Sequence, residues 1–132
     1  MKKVIIIAGV VVALIVVGAL VWGSSGGKTT DSPSLTYTTV LADQANGAKI
    51  YDVRTVQEYT EGHFKQAVNW PVETIQSGGL PDVPKDTKMY VYCRSGNRSS
   101  LAANVLKDNG YTNVVDLGGL SDVQALGGIL AR

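Results

Sequence analysis

Lys88-Met89-Tyr90-Val91-Tyr92-Cys93-Arg94-Ser95-Gly96-Asn97-Arg98-Ser99-Ser100-Leu101-Ala102-Ala103-Asn104-Val105-Leu106-Lys107 sets an apolar run directly before a helix-like one, with the chain's only cysteine at the junction. Lys88 to Tyr92 reads as a buried strand and Ser100 to Lys107 as a helix, with Leu101, Ala102, Val105 and Leu106 on one face. Gly110 stands where a helix takes a left-handed C-terminal residue. A thiol on the turn between a strand and a helix N-terminus faces unpaired N–H groups and the positive end of the helix dipole, and both favour thiolate. Gly96 lets the backbone fold tightly around the sulfur, and Arg94 and Arg98 add positive charge. The loop Arg94, Ser95, Gly96, Asn97, Arg98, Ser99 is thus at once a nest for an anion and an activator of the nucleophile Cys93. The competing reading is a small buried apolar residue, the usual state of a free cysteine. Two arginines and a glycine within five residues argue against a core position.

Outward from this junction, short apolar segments alternate with helix-like ones. Lys49 to Val53 reads as a strand, and Thr55 caps a helical turn through Tyr59. Ala67 to Trp70 is a second strand, stopped by Pro71. Thr112 to Leu117 is a further strand, and Val40, Leu41 and Ala45 belong to an earlier helix ending at Gly47. Alternating strands and helices predict an α/β fold with a parallel sheet, whose ligand crevice lies at the carboxyl ends of the strands. Cys93 follows such an end.

Ahead of this domain stand two different zones. Val4 to Trp22 are 19 consecutive residues with no charge or strongly polar side chain. As a helix they span about 28 Å, near the thickness of the hydrocarbon core of a bilayer. Lys2 and Lys3 precede them, which by the positive-inside rule orients the N-terminus to the cytoplasm. An uncleaved single-span anchor is preferred over a signal peptide, whose apolar region is shorter and ends in an Ala-x-Ala-like site. Both place the remainder outside the cytoplasmic membrane, as a tethered or a secreted periplasmic domain. Residues 23–34, GSSGGKTTDSPS, read as a flexible linker. Residues 35–132 form one domain. Setting aside Lys2 and Lys3, the chain has 10 basic against 11 acidic residues, which argues against a nucleic-acid partner. A lone cysteine in an oxidising compartment closes no internal disulfide, and its place in the loop marks it as a chemical tool.

Tyr51-Asp52-Val53-Arg54, Glu58-Tyr59, Gly62-His63, Ala67-Val68-Asn69 and Pro71, followed by Val91 to Ser99, Gly110 to Val114 and Leu117-Gly118-Gly119-Leu120, resemble the successive signatures of rhodanese-like domains. The resemblance covers nearly all of residues 35–132 in the right order. It implies a three-layer fold with a central parallel sheet flanked by helices, here preceded by one transmembrane helix. It also implies a thiosulfate sulfurtransferase that needs no cofactor. Cys93 would take the outer sulfur of a donor such as thiosulfate, hold it as a persulfide, and pass it to cyanide, a thiol or a protein acceptor. Sulfite leaves readily as an anion, so no paired carboxylates are required; a thiolate and a bed of N–H donors suffice. Arg94 and Arg98 would attract the dianionic donor, with bracing of the loop as a second role for Arg98. Asp52, Arg54 and Glu58 are expected to form a polar network fixing the segment beside the loop, and His63 to be structural or to stand at the pocket rim.

Two other functions compete. Cysteine-based phosphatases and arsenate reductases also use a cysteine-to-arginine loop, but with five intervening residues, whereas Cys93 and Arg98 enclose four. A non-enzymatic binding or sulfur-carrier module is the other, and retention of the cysteine weighs against simple docking. One cysteine and one histidine assemble no soft-ligand metal site.

Overall fold

A computed structural model of the protein describes residues 34–132. The segment read as a membrane anchor, 4–22, and nearly all of the 23–34 linker lie outside the described residues. Among the described residues, no helix is long and apolar enough to cross a membrane.

The elements follow in the order α1 (Tyr37–Ala45), β1 (Lys49–Asp52), α2 (Val56–Glu61), β2 (His63–Phe64), β3 (Val68–Asn69), α3 (Val72–Gln76), β4 (Met89–Tyr92), α4 (Asn97–Asp108), β5 (Val114–Gly118), α5 (Leu120–Ala125) and β6 (Leu130–Ala131). Strands β3-β1-β4-β5 form one sheet, parallel throughout, and β2 and β6 form a small antiparallel pair. The sheet is buried on both sides, as parallel sheets are. Alternate residues of β4 divide between two cores: Met89 and Val91, continued by Cys93, pack with α3 and α4, while Tyr90 and Tyr92 pack with α1 and α5. Strand β1 divides the same way, Tyr51 toward one core and Ile50 toward the other. This two-sided sandwich is the expected α/β architecture.

Several local expectations need correction. Helix α4 begins at Asn97, so three residues assigned to the loop form its first turn. Its buried face is Ser99, Ala102, Ala103 and Leu106, whereas Leu101 is exposed. These four stand at i, i+3, i+4 and i+7, a single helical stripe that leaves Leu101 on its outer flank. Helices α3 and α5 and the β2–β6 pair were not foreseen, being too short for a periodic pattern to declare itself.

Candidate active site

Cys93 leaves the carboxyl end of β4, and the chain turns at once into α4. Gly96, at φ +97°, supplies the left-handed residue that starts the helix and points loop N–H groups inward. Its own N–H donates to the Cys93 Sγ at 2.9 Å. The Sγ lies 3.5 Å from the Ser99 hydroxyl, which in turn donates to the carbonyls of Gly96 (3.0 Å) and Gly118 (3.3 Å). In the thiol form the S–H donates to the Ser99 oxygen; once the sulfur is ionised, the same hydroxyl is free to rotate and donate to it. Burial pushes the Cys93 thiol up. Hydrogen bonds from the Ser99 side chain and from the backbone of Ser99, Gly96 and Ser95 outweigh burial, leaving the thiol below its ordinary value.

The cradle rests on a glycine pair. The Cys93 N–H donates to the Gly118 carbonyl (2.9 Å) and the Leu120 N–H to the Arg94 carbonyl (3.1 Å), while Ser95 bridges Gly119. A Cβ on Gly119 would stand 2.6 Å from the Arg94 carbonyl oxygen, so any side chain there would push the loop away. Asp122 accepts from the Gly119 N–H at 2.7 Å and fixes the turn. Gly118 and Gly119 are therefore part of the site, a role the sequence reading did not give them. The signal lay in two glycines at the end of the strand next to the nucleophile's own.

Cys93 itself is fully buried and belongs to the core cluster beneath α4. The opposition drawn between a core cysteine and a reactive one does not hold, because the loop closes over a sulfur whose far side is core. Arg94, Ser95 and Asn97 are exposed on the loop's outer surface.

The two arginines divide their work. Arg98 is paired to Glu58 through two bonds of 2.7 and 2.9 Å, a fork that ties the first turn of α4 to α2. The Arg98 guanidinium holds the Glu58 carboxyl at about 2, against modest opposition from burial and with help from Thr55. Glu58 also completes the cap of α2, accepting from the Thr55 N–H at 3.0 Å. Arg98 thus braces the loop with its charge offset by Glu58, while Arg94 is exposed.

Asp52 and Arg54 meet as the sequence suggested, but in the interior. Asp52 is fully buried and Arg54 is 4% exposed, and the pair closes at 2.7 Å. Arg54 also donates to the Gly62 carbonyl at 2.5 Å. The missing member of the network is Tyr92, which stands beside Asp52 in the parallel register. Its hydroxyl donates to Asp52 at 2.8 Å and accepts from the Phe64 N–H at 3.1 Å. Burial, with the Asp52 charge next, raises the Tyr92 phenol well above its ordinary range. One buried network therefore holds the ends of β1 and β4 and the Gly62–Phe64 segment together, one residue before Cys93. His63 stacks on Tyr59, with ring centres 3.8 Å apart, and its Nδ1 lies 3.0 Å from the Tyr59 carbonyl; it has no contact with Cys93. Among the described residues no three metal-ligating side chains converge. Beside the loop opens a cleft of about 540 Å³, whose walls include Arg54, Glu58, Arg94 and Arg132.

A parallel sheet sandwiched by helices, with a cysteine cradle at the carboxyl end of a central strand, defines a rhodanese-type domain. Residues 37–126 match the Rhodanese-like domain family, and the chain belongs to it. It is 36% identical over 73 residues to the thiosulfate sulfurtransferase PspE of Escherichia coli K12, covering 54% of this chain and 70% of that protein. It is 42% identical over 73 residues to the adenylyltransferase and sulfurtransferase uba4 of Ogataea parapolymorpha, covering 54% of this chain but only 19% of that protein. The chain thus spans about a fifth of the length of this larger fungal relative. Among solved structures, the Rhodanese_3-like domain of the Alr3790 protein from Anabaena superposes with a TM-score of 0.57 at 31% identity, covering 64% of this chain and 99% of that one.

Proposed function

We propose that the protein is a sulfurtransferase that moves a sulfane sulfur from a donor such as thiosulfate to a thiophilic acceptor through a persulfide on Cys93. The observation that carries this reading is the cradle of N–H and O–H donors closed around a single buried sulfur, with the thiol held below its ordinary value. The Cys93 thiolate attacks the outer sulfur of thiosulfate; the sulfur–sulfur bond breaks and its electron pair leaves with sulfite. The resulting Cys93–S–S⁻ is held by the loop N–H groups. An acceptor thiolate or cyanide then attacks the terminal sulfur, and the electron pair returns to the Cys93 Sγ. No net oxidation occurs in either half. The relatives named as sulfurtransferases support the reaction class.

Phosphoryl transfer fits less well. Four residues separate Cys93 from Arg98, and both ends of the Arg98 fork are occupied by Glu58 rather than offered to an incoming group. We further read residues 4–22 as a tether that holds the domain outside the cytoplasmic membrane, on the strength of their apolar length and the preceding Lys2 and Lys3.

Intact mass spectrometry of the full chain after thiosulfate exposure tests the reaction. Wild type gains the mass of one sulfur atom and loses it on adding a thiol, whereas Cys93→Ser gains nothing. A wild-type protein that gains no sulfur, yet hydrolyses an aryl phosphate in a Cys93-dependent manner, would overturn the reading.

A further inference from the structure

The peptide group between Gly118 and Gly119 meets the cradle with one end and a carboxylate with the other. Its carbonyl oxygen, on Gly118, accepts from the Cys93 N–H at 2.9 Å and from the Ser99 hydroxyl at 3.3 Å. Its N–H, on Gly119, donates to the Asp122 Oδ2 at 2.7 Å. Gly118, at φ +86°, turns the peptide this way, and a Cβ there would stand 2.5 Å from the same Asp122 oxygen. Asp122 therefore lies one peptide away from the groups that surround the sulfur.

The bonds on either side of this peptide run in one sense. The Cys93 thiol donates to the Ser99 oxygen (3.5 Å), the Ser99 hydroxyl to Gly118, and the Gly119 N–H to Asp122. Each bond polarises the next, from the sulfur through to the carboxylate. The line is complete only while Cys93 is a thiol, because an ionised sulfur has no proton to give. The Ser99 hydroxyl has one proton and three acceptors in reach: Gly96 at 3.0 Å, Gly118 at 3.3 Å and the sulfur. A negative charge on Asp122 makes Gly118 the better acceptor and draws that proton away from the sulfur. Of the other charged groups around Cys93, Arg98 of α4 is forked to Glu58 of α2 with Glu73 of α3 beside it. Asp52 and Arg54 satisfy one another, Arg94 is exposed, and Glu61 and Arg132 stand in the cleft walls. Asp116 accepts from the Gly118 N–H at 2.8 Å, but that N–H belongs to the preceding peptide.

From this geometry we infer that Asp122 is a positioning residue for Cys93: through one peptide and the Ser99 hydroxyl it favours the protonated thiol and restrains the nucleophile. Its bearing on sulfur transfer rests on the sulfurtransferase reading of Cys93. Asp122 touches no reacting atom. When Cys93 ionises, its proton passes to solvent and the Ser99 hydroxyl turns from Gly118 to the sulfur. The Gly118 carbonyl then keeps only the Cys93 N–H. Asp122→Asn removes the charge but keeps an oxygen for the Gly119 N–H, so it weakens Gly118 as an acceptor and eases that turn. The variant therefore reacts faster at low pH, where thiolate is scarce, and no faster at high pH, where ionisation is complete.

The test follows iodoacetamide labelling of the single cysteine and its loading from thiosulfate, both read by intact mass of the full chain, across pH. Asp122→Asn is expected to label and load about 2- to 3-fold faster than wild type on the acid limb, as loss of one exposed charge allows. The two profiles should meet on the alkaline plateau. Asp116→Asn removes the same charge from the other side of Gly118 and is expected to follow wild type. Ser99→Ala breaks the line, so adding Asp122→Asn to it should change nothing. A gain of the same size in the Ser99→Ala background would mean that Asp122 acts through space, and would overturn the inference. An Asp122→Asn profile equal to wild type, matched by Asp116→Asn, or displaced by one factor at every pH would overturn it as well, and these comparisons decide even where Ser99→Ala does not fold. Failure of wild type to gain sulfur while the labelling profiles still separate would remove the sulfurtransferase reading and leave the control of Cys93 ionisation in place.

Discussion

Strand β4 carries two tyrosines two residues apart, and each closes a tyrosine–aspartate–cation trio at opposite ends of the sheet. At the carboxyl end Tyr92 donates to Asp52, which pairs with Arg54. Toward the amino end Tyr90 donates to Asp43 at 2.5 Å, and Asp43 pairs with Lys88 at 2.7 Å. The chemistry is nearly the same, but the surroundings differ. Side-chain exposure is 5% and 0% for Arg54 and Asp52, against 40% and 36% for Lys88 and Asp43. A buried charge stripped of its partner has no water to turn to, whereas an exposed one does. The inner trio is therefore a structural requirement of the end of the sheet that carries Cys93, and the outer one is a surface contact. Only the inner trio reaches a third segment, through Phe64 and Gly62.

The strongest way to break this contrast is Asp52→Asn. The variant leaves the Arg54 guanidinium buried without a countercharge and replaces one of the two accepting oxygens with an amide NH2, so that the Arg54 and Tyr92 donors compete for a single oxygen. Removing one partner of a buried pair costs about 3–5 kcal/mol. The expected result is a large fall in the urea midpoint with an unchanged slope, and slower persulfide formation in whatever remains folded, since the ends of β1 and β4 set the starting point of the loop. A loss below about 1 kcal/mol would mean that the interior trio behaves like the surface one.

The inner trio also shows what the sequence could and could not reveal. The apolar runs Lys49 to Val53 and Lys88 to Tyr92 were enough to predict two buried strands, and the junction at Cys93 enough to place the thiol at the carboxyl end of one of them. That Asp52 and Arg54 belong to one polar network was expected from the sequence. Tyr92 was not, because its partner is 40 residues away and they meet only once the parallel register aligns them. The same holds for Arg98. Its position in the loop left attraction of the donor and bracing of the loop both open, and the Glu58 partner that favours bracing comes from another helix. Gly118 and Gly119 gain their role from a loop that contacts them across the sheet. Local pattern thus revealed the longer elements and the turn that carries Cys93, while roles that depend on non-local pairing had to await the fold.

Between the two trios in burial lies the Arg98–Glu58 fork, at 29% and 22% side-chain exposure. Its response to acid sharpens the comparison. Glu58 sits at about 2 in the folded protein, below its ordinary 4.5, chiefly through Arg98. A carboxylate depressed on folding contributes stability that is present in full above its ordinary value and is lost as pH falls through the folded one. Wild type should therefore lose this contribution progressively from about pH 4.5 to about pH 2. Glu58→Gln lacks it from the start. At neutral pH the variant is expected to be less stable by about 1 kcal/mol, as for a well-aligned, half-buried pair. Urea midpoints of the two proteins should converge on acidification, and a difference that stays constant down to the lowest pH would show that the fork does not act through its charge.

The smallest effect is expected at the outer trio. Lys88 and then Tyr90, each hydrogen-bonded to Asp43, hold its carboxyl below the usual range, and burial opposes them only weakly. With more than a third of both charged side chains in water, that shift translates poorly into stability. Asp43→Asn should cost less than about 1 kcal/mol. The amide oxygen still accepts from Tyr90 or Lys88, and solvent reaches whatever is left unpaired. Salt separates this case from the interior one. In about 1 M salt, where the screening length is about 3 Å, the deficit of Asp43→Asn should shrink toward zero, while that of Asp52→Asn persists because ions do not reach the buried pair. Urea midpoints at low and high salt make the comparison. Equal salt sensitivity at the two ends of β4 would show that burial is not what distinguishes them.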